Sequence, residues 1–219
     1  MNEISPDSLI RRASKDDITS LTDMCRRAFP DSFRWALPRV GTLYWRSAVN
    51  VAGDSGAETW VIHDKGHLSG VIVIIADEAK WSTCSKHRTP TYFDLIMSMF
   101  YSYRLFKPLG KRLSKARRTR APTYSHTSEP NSRTVCPPGN RLAIELTAVE
   151  PSTQGSGIGS RLRRFAEERA VAHGRACIRT LTEQNNTRMR SLCERMGYHL
   201  VEIRNGQCVY VKHISNPSH

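Results

Sequence analysis

Three glycines at alternate positions, Gly155, Gly157 and Gly159, form the part of the chain with the clearest indication of chemistry. An apolar run over residues 142–149 precedes them and an amphipathic run over residues 161–173 follows, so the order predicts a strand, a glycine-rich turn and a helix. Glycine lacks the Cβ atom that would keep a ligand away from the backbone. The unpaired amides at a helix start, beside the positive end of the helix dipole, favour bound phosphate. The segment therefore predicts a pyrophosphate site.

Two common phosphate-binding motifs do not fit this segment. A Walker loop ends in Gly-Lys-Ser/Thr, whereas Ser160 and Arg161 follow Gly159. A dinucleotide-binding fingerprint that starts at Gly155 needs its third glycine at Ser160, and an acidic residue about 20 positions further on, where Arg179 stands. The segment belongs to neither class.

The pattern Gln-x-x-Gly-x-Gly, carried by Gln154, Gly157 and Gly159, resembles the acetyl-coenzyme A loop of the GNAT superfamily of N-acetyltransferases. On its own so short a motif is also explained by a structural glycine turn. In that superfamily a later strand is followed by a helix with the pattern N-x-x-A-x-x-L-Y-x-x-x-G-F. The matching positions here are Asn186, Leu192, Gly197 and Tyr198. Two motifs in the right order make the resemblance specific for the C-terminal third of the chain.

The resemblance implies a fold of the α/β (α+β) class, a single acetyltransferase domain over residues 1–219. Its central mixed, mostly antiparallel sheet of about seven strands is flanked by helices. Local patterns predict strands at 9–13, 60–63, 68–76, 141–149, 176–182, 198–204 and 207–213. They predict helices at 14–29, at 32–49 with interruptions at Pro38 and Gly41, at 157–172 and at 186–196.

Residues 80–140 form a long insertion between the third and fourth predicted strands. The apolar residues of 91–106 have helical spacing, the run 104–120 is basic without an acidic residue, and 121–139 is a Pro/Ser/Thr-rich loop. Three interpretations stay open. The helix packs on the sheet or covers the acceptor cleft, it rests on a membrane surface as a basic amphipathic helix, or it forms a dimer contact.

A cytoplasmic location is expected for this chain, and its charge is unusual. The net charge is +13, which favours contact with phosphate, anionic lipid or an acidic partner, although a solvated segment explains the basic run equally well. The six cysteines contain no C-x-x-C pair, so neither a zinc site nor a disulfide framework is predicted, and Cys177 and Cys208 are expected to be buried thiols. Residues 1–8 are not typical of a signal peptide, and no apolar run approaches the roughly 20 residues of a membrane span.

The resemblance also implies which residues bind acetyl-coenzyme A, the expected co-substrate. The fourth strand separates from the fifth, and its free edge at Thr147, Ala148 and Val149 holds the pantetheine arm. The Val149 amide polarises the thioester oxygen. The pyrophosphate is held by backbone amides of the residues Gln154, Gly155, Ser156, Gly157, Ile158, Gly159 and Ser160. Asn186 touches the arm, and no metal ligand is expected.

Proton transfer is assigned to two candidates. Glu145 is the candidate base, because strand alternation would place it on one face with Thr147 and Val149. A structural ion pair of Glu145 with Arg179 is the alternative, and Glu183 is a second candidate base.

Cys193 stands where the superfamily motif has the tyrosine that protonates the leaving thiolate. Four possibilities stay open for this step. Cys193 could be the acid, Tyr198 or another tyrosine could replace it, or no acid could be used. In the fourth, Cys193 accepts the acetyl group itself. Arg161 and Arg163 add charge near the phosphates, with a solvated side chain favoured for Arg163.

The sequence therefore predicts an acetyl-coenzyme A dependent N-acetyltransferase acting on a primary amine. Residues 29–44 and the insertion favour a small molecule such as an amino sugar, because they are similar to family members of polysaccharide and natural-product pathways. The alternatives are an acetyltransferase of protein N-terminal or lysine amines, and a non-catalytic acetyl-coenzyme A binding regulatory domain. A monomer or homodimer is expected. Nucleic acid is not an expected partner, and a peripheral membrane or anionic contact is assigned to 104–120.

Overall fold

A computed structural model describes residues 9–32, 35, 38–49, 56–64, 66–86, 136–137 and 139–214. Its centre is a seven-stranded sheet with the order β1-β2-β3-β4-β5-β7-β6. The strands are β1 (Ile10–Arg12), β2 (Ala57–Asp64), β3 (His67–Ile75), β4 (Arg141–Val149), β5 (Cys177–Glu183), β6 (His199–Arg204) and β7 (Gln207–His213). Only the β4–β5 pair is parallel among these strands. The mixed sheet expected from the sequence is confirmed.

The described helices are α1 (Ile18–Ala28), α2 (Pro38–Ala48), α3 (Glu78–Lys86), α4 (Ile158–Ala172) and α5 (Thr187–Arg195). Two short 3-10 helices, Lys15–Asp17 and Pro151–Thr153, precede α1 and α4. α2 begins at Pro38, a position that tolerates proline and one of the two predicted interruptions, whereas the interruption predicted at Gly41 is wrong. Gly41 lies inside it, and a Cβ there would be 3.0 Å from Cγ2 of Thr22, so this glycine allows α1 and α2 to pack closely.

Apolar side chains cover both faces of the sheet. One face packs against α4 and α5 through a core that includes Ile72, Ile144 and Leu162. The other face packs against α1 and α2, where Trp35 and Trp45 stack with ring centroids 5.6 Å apart. The two cores fix the helices to opposite sides of β3 and β4, which are the strands next to the glycine-rich turn.

Most of the insertion lies outside the described residues, including the helix predicted at 91–106, the basic run at 104–120 and the loop up to residue 135. The residues that flank it lie close together, because the Arg141 guanidinium donates to both carboxylate oxygens of Glu78 at 2.6 Å. None of the described helices is long and apolar enough to cross a bilayer.

The prediction of a free Cys177 thiol is wrong. Its side chain is buried as expected, but its sulfur is bonded to that of Cys136 in a disulfide. The two cysteines are 41 residues apart, so no local spacing indicated the pair. Cys136 lies in the segment before β4, and Cys177 is the first residue of β5, opposite the first residue of β4, Arg141. Cys208 is a buried free thiol, as predicted.

Candidate functional site

The parallel pair β4–β5 separates part of the way along its length. The strands are paired from Arg141 opposite Cys177 to Ile144 opposite Thr180. Beyond that point β4 continues to Val149 without a described partner on this side, while β5 pairs with β7. The expected separation of the two strands is therefore present, and it leaves a wedge-shaped cleft that opens toward the glycine-rich turn.

A β-bulge at Glu145 lies where the two strands separate. On the β3 side, Leu146 is opposite Val73 but Ile144 is opposite Ile74, so Glu145 is an extra residue in β4. A bulge interrupts the regular alternation of side chains, so alternation alone does not fix the face of β4 on which the Glu145 side chain lies. The Glu145 side chain is exposed.

The backbone of Val149 faces the cleft. The Glu150 N–H donates to the Ser69 carbonyl of β3 at 3.0 Å, and successive backbone groups of a strand point to opposite edges. The Val149 N–H consequently points away from β3 and toward the separated β5. Its carbonyl accepts from Nε2 of Gln154 at 3.3 Å, which agrees with this direction. A ligand in the cleft would meet this amide.

The start of α4 has no side-chain cap. Gly157 is the N-cap residue with φ 93°, a left-handed conformation that favours glycine, and no side chain bonds to the first turn. The Arg161 N–H is the first to bond within the helix, to the Gly157 carbonyl at 3.0 Å. In the described part of the chain, the N–H groups of Ile158, Gly159 and Ser160 have no acceptor. Three amides therefore point from the positive end of the helix toward the mouth of the cleft.

A second glycine positions this helix start, and sequence reasoning missed it. A Cβ on Gly70 of β3 would be 2.9 Å from Cγ2 of Ile158 and 3.1 Å from Cδ1 of Leu162. Gly70 thus lets the first turn of α4 lie directly on the sheet, beside Val149 on the neighbouring strand. The available signal was a glycine inside an apolar strand, which often marks a close approach of another element.

Asn186 is used as the cap of α5. Its Oδ1 accepts from the Met189 N–H at 3.1 Å, and Gly197 follows the helix with φ 77°. The expected helix start and end are confirmed. The neighbouring Arg188 donates from Nη1 to Oε1 of Gln154 at 2.8 Å, so the side chain of Gln154 connects α5 to the end of β4.

Thr147 and Ala148 are both buried, on opposite faces of β4. Ala148 belongs to the core under α1 and α2. The Thr147 hydroxyl has no hydrogen-bond partner within the described residues, so it is a polar group available to a ligand. Glu183 is exposed at the end of β5, and the described residues contain no group of His, Cys, Asp and Glu able to hold a metal.

Cys193 and Tyr198 are buried against the inner side of α5. Burial raises the pKa of the Cys193 thiol, and the nearby Arg163 charge partly opposes this effect. Burial raises the pKa of Tyr198 as well, again opposed by Arg163. Both groups are therefore protonated at neutral pH, the state that a proton donor needs.

The expectation of a solvated Arg163 is wrong. Only 1% of the residue is exposed. Its Nη2 lies 3.4 Å from Oγ1 of Thr180 and 3.2 Å from Sδ of Met189, and its guanidinium carbon is 5.2 Å from the centre of the Tyr198 ring. The sequence signal was helical spacing, because Arg163 shares a face with the small residues Ala166 and Ala170.

Residues 121–198 match the model of the acetyltransferase (GNAT) family, a range that contains both sequence motifs. No curated protein matches the chain in sequence.

Solved structures of similar fold cover nearly the whole chain. A putative GNAT-family acetyltransferase from Desulfovibrio desulfuricans has a TM-score of 0.57 at 12% identity, over 95% of this chain and 99% of its own. The putative acetyltransferase yncA from Salmonella typhimurium, solved with acetyl-coenzyme A, has a TM-score of 0.54 at 12% identity, over 97% and 96%. The paia N-acetyltransferase from Thermoplasma acidophilum, in complex with coenzyme A, has a TM-score of 0.55 at 11% identity, over 94% and 99%.

At these identities the likeness concerns the fold, while the family match concerns the sequence of the site itself. The sequence match and the fold likeness are independent of each other, and both are to acetyltransferases. Residues 121–198 are thus similar in sequence to the acetyltransferase (GNAT) family, and the fold of the chain is similar to that of solved acetyltransferases.

Proposed function

We propose that the protein is an N-acetyltransferase that uses acetyl-coenzyme A to acetylate a primary amine. One observation carries the proposal: the cleft between β4 and β5 opens onto a helix start whose amides have no partner in the described residues. The cleft suits an extended arm, and the helix start suits a pyrophosphate. Acetyl-coenzyme A combines these two parts.

The residues of the cleft divide the binding between them. The N–H groups of Ile158, Gly159 and Ser160 bind the pyrophosphate, and the free edge of β4 from Thr147 to Val149 binds the arm. The Val149 N–H donates to the thioester oxygen, where negative charge develops during transfer. The bond from Gln154 to the Val149 carbonyl keeps the turn against this edge. Asn186 acts by fixing the start of α5.

Proton removal from the amine is assigned to Glu145, acting through water. Its side chain is exposed one residue beyond the last β4–β5 pair, at the narrow end of the cleft. An exposed carboxylate is ionised at neutral pH and accepts a proton from a positioned water. Cys193 is proposed as the group that protonates the leaving thiolate, because its thiol is protonated and lies on the inner face of α5.

For the acceptor we propose a small-molecule amine such as an amino sugar. This choice rests on the similarity of residues 29–44 and of the insertion to family members of polysaccharide and natural-product pathways. A protein N-terminal or lysine amine is the competing acceptor class.

The test is calorimetric titration of the full chain with acetyl-coenzyme A, combined with detection of free thiol against amino sugars, polyamines and peptides. We expect binding, and thiol release with the amino sugars. Thiol release with peptides alone would show that the acceptor is a protein amine and not a small molecule. Binding without release by any amine would favour a regulatory acetyl-coenzyme A binding domain. Absence of binding by a folded protein would overturn the proposal.

A further inference from the structure

The buried guanidinium of Arg163 lacks a charged partner in the described structure. Its contacts are the hydroxyl of Thr180, the thioether of Met189 and the ring of Tyr198, all of them neutral. Its Nε and Nη1 have no hydrogen-bond acceptor among the described residues. An arginine stays charged at any physiological pH, and a buried charge without a partner is unfavourable. A missing acceptor is therefore implied.

The carboxylates that act on Cys193 and Tyr198 are engaged with other groups. Glu167 of α4 accepts from Nζ of Lys212 on β7 at 2.7 Å. Glu194 of α5 accepts from the Tyr210 hydroxyl at 2.8 Å. Neither of these two carboxylates forms an ion pair with Arg163, so the described residues supply no counter-charge to it in the resting protein.

Cys193 lies between two residues that contact Arg163. Met189 is four residues earlier on α5, so both side chains are on the same helix face. The Tyr198 N–H donates to the Cys193 carbonyl at 3.0 Å. Cys193 is fully buried and is not part of a disulfide. Two ionisable groups interact with the Arg163 charge, the Cys193 thiol and the Tyr198 hydroxyl, and a thiol becomes an anion more readily than a phenol.

We propose that the missing partner of Arg163 is the thiolate of Cys193, which forms when this thiol gives its proton to the departing coenzyme A thiolate. The inference rests on the proposed function. The S–H bond of Cys193 breaks and the S–H bond of coenzyme A forms, while the electron pair stays on the Cys193 sulfur. Solvent water returns a proton to Cys193 after product release. Arg163 is a positioning residue that acts through Cys193.

This arrangement explains why an unpaired guanidinium is kept in the core. The favourable interaction is absent in the resting protein and appears as charge moves to the Cys193 sulfur, which is the property of a group that accelerates a reaction. The other titratable groups around Cys193 are engaged with partners or uncharged. Glu194 accepts from the Tyr210 hydroxyl and Glu167 from Lys212, while Tyr198 and Cys208 are neutral side chains.

The test compares Arg163→Met, Arg163→Lys, Cys193→Ser and the double variant Arg163→Met/Cys193→Ser with the unchanged full chain. Cys208→Ala is the matched control, because it removes another buried free thiol of the same core. Ultraviolet absorbance of the thiolate, taken as the difference from Cys193→Ser, gives the titration of Cys193. The pH profiles of kcat and of KM for acetyl-coenzyme A are measured in parallel.

We expect Cys193→Ser and Arg163→Met each to lower kcat by about tenfold to a hundredfold with KM nearly unchanged. The double variant should be no slower than either single variant. Cys193 should titrate at higher pH in Arg163→Met than in the unchanged protein, with Arg163→Lys close to the latter.

An equal titration of Cys193 in Arg163→Met and the unchanged protein would overturn the inference. So would a Cys193→Ser variant with full kcat and an unaltered pH profile, a result that does not depend on whether Arg163→Met folds. Failure of the unchanged protein to bind acetyl-coenzyme A in calorimetry would instead overturn the proposed function, because the absorbance titration reports the coupling of Arg163 and Cys193 without the coenzyme.

Discussion

The two helices α4 and α5 both follow a strand that borders the cleft, yet they start in different ways. At α5 the Asn186 side chain accepts from the Met189 N–H and closes the first turn. At α4 the N-cap is Gly157, which has no side chain, and the amides of Ile158, Gly159 and Ser160 stay open in the described structure. Closing a helix start stabilises it, so the open start of α4 forgoes stability that α5 has. The difference separates a ligand-binding helix start from a structural one.

The start of the 3-10 helix before α1 is also closed by a side chain, but in the reverse direction, because a residue of the helix accepts from the N-cap N–H. The Asp17 carboxylate accepts from the Ser14 N–H at 2.7 Å and binds the Arg11 guanidinium at 2.7 and 2.8 Å. Two closed starts and one open start give three places where the comparison can be tested.

The largest effect is expected at the open start. Gly157→Glu places a carboxylate and a strained left-handed residue where the phosphate charge should bind, so acetyl-coenzyme A affinity should fall by more than about a hundredfold. Calorimetry measures the loss. Gly174→Glu is the matched control, because Gly174 also has φ 61° but follows the opposite end of α4. Equal loss in both variants, or normal binding by Gly157→Glu, would refute the assignment of the pyrophosphate to this turn.

The next effect concerns the position of the open start. Gly70→Val should destabilise the fold by roughly 1–3 kcal/mol and weaken acetyl-coenzyme A binding, because its side chain forces Ile158 away from β3. Chemical denaturation and calorimetry give the two quantities. Gly70→Ala combined with Ile158→Ala should bind better than Gly70→Ala alone, since the shorter side chain at 158 removes the 2.9 Å contact. Normal binding by Gly70→Val would show that the close approach is dispensable.

The contribution of Asp17 at the closed start should be visible in how the free energy of unfolding changes at acidic pH. The Arg11 guanidinium, helped by the Ser14 N–H and hydroxyl and opposed by burial, lowers the pKa of Asp17 to about 2. A folded-state pKa below the unfolded value stabilises the fold at higher pH, and this stabilisation is lost as the pH falls from about 4 to about 2. Asp17→Asn should be less stable by roughly 1–2 kcal/mol at pH 7 and lose less stability on acidification. Parallel curves of unfolding free energy against pH would contradict this.

The smallest effect is expected at Asn186. Asn186→Ala should lower the free energy of unfolding by about 1 kcal/mol, because the Met189 N–H loses its acceptor. Asn186→Asp keeps the acceptor and serves as the control. Thermal unfolding with and without acetyl-coenzyme A separates the two roles of this residue: a loss of affinity much greater than the loss of stability would show that Asn186 also touches the ligand.

Features set by short stretches of sequence were predictable. Gly157 and Asn186 act within one turn of a helix, and Asn205 and Gly206 form the tight turn between β6 and β7 with φ 51° and 76°. Their conformations depend on local sterics and on neighbouring amides. The order of strands and helices around the site followed from the same kind of pattern.

Features that depend on contacts between distant segments were not predictable. The bulge at Glu145 is defined by the register against β3, and an alternating pattern contains no mark of an inserted residue. The Cys136–Cys177 disulfide depends on the parallel pairing of β4 and β5. Arg163 seemed a surface residue because its type is usually exposed, and only packing between α4, β5 and α5 shows that it is buried.

The bulge at Glu145 divides β4 into two halves whose side chains alternate out of step with each other. Before it, Leu142 and Ile144 pack toward α4; after it, the side chains directed to that core are at odd-numbered positions, such as Val149. Because Glu145 is the extra residue, deleting it leaves Ile144 opposite Ile74 and Leu146 opposite Val73, so the two halves join into one regular strand and every side chain keeps its face. Replacing Glu145 by alanine, in contrast, keeps the bulge and removes only the carboxylate.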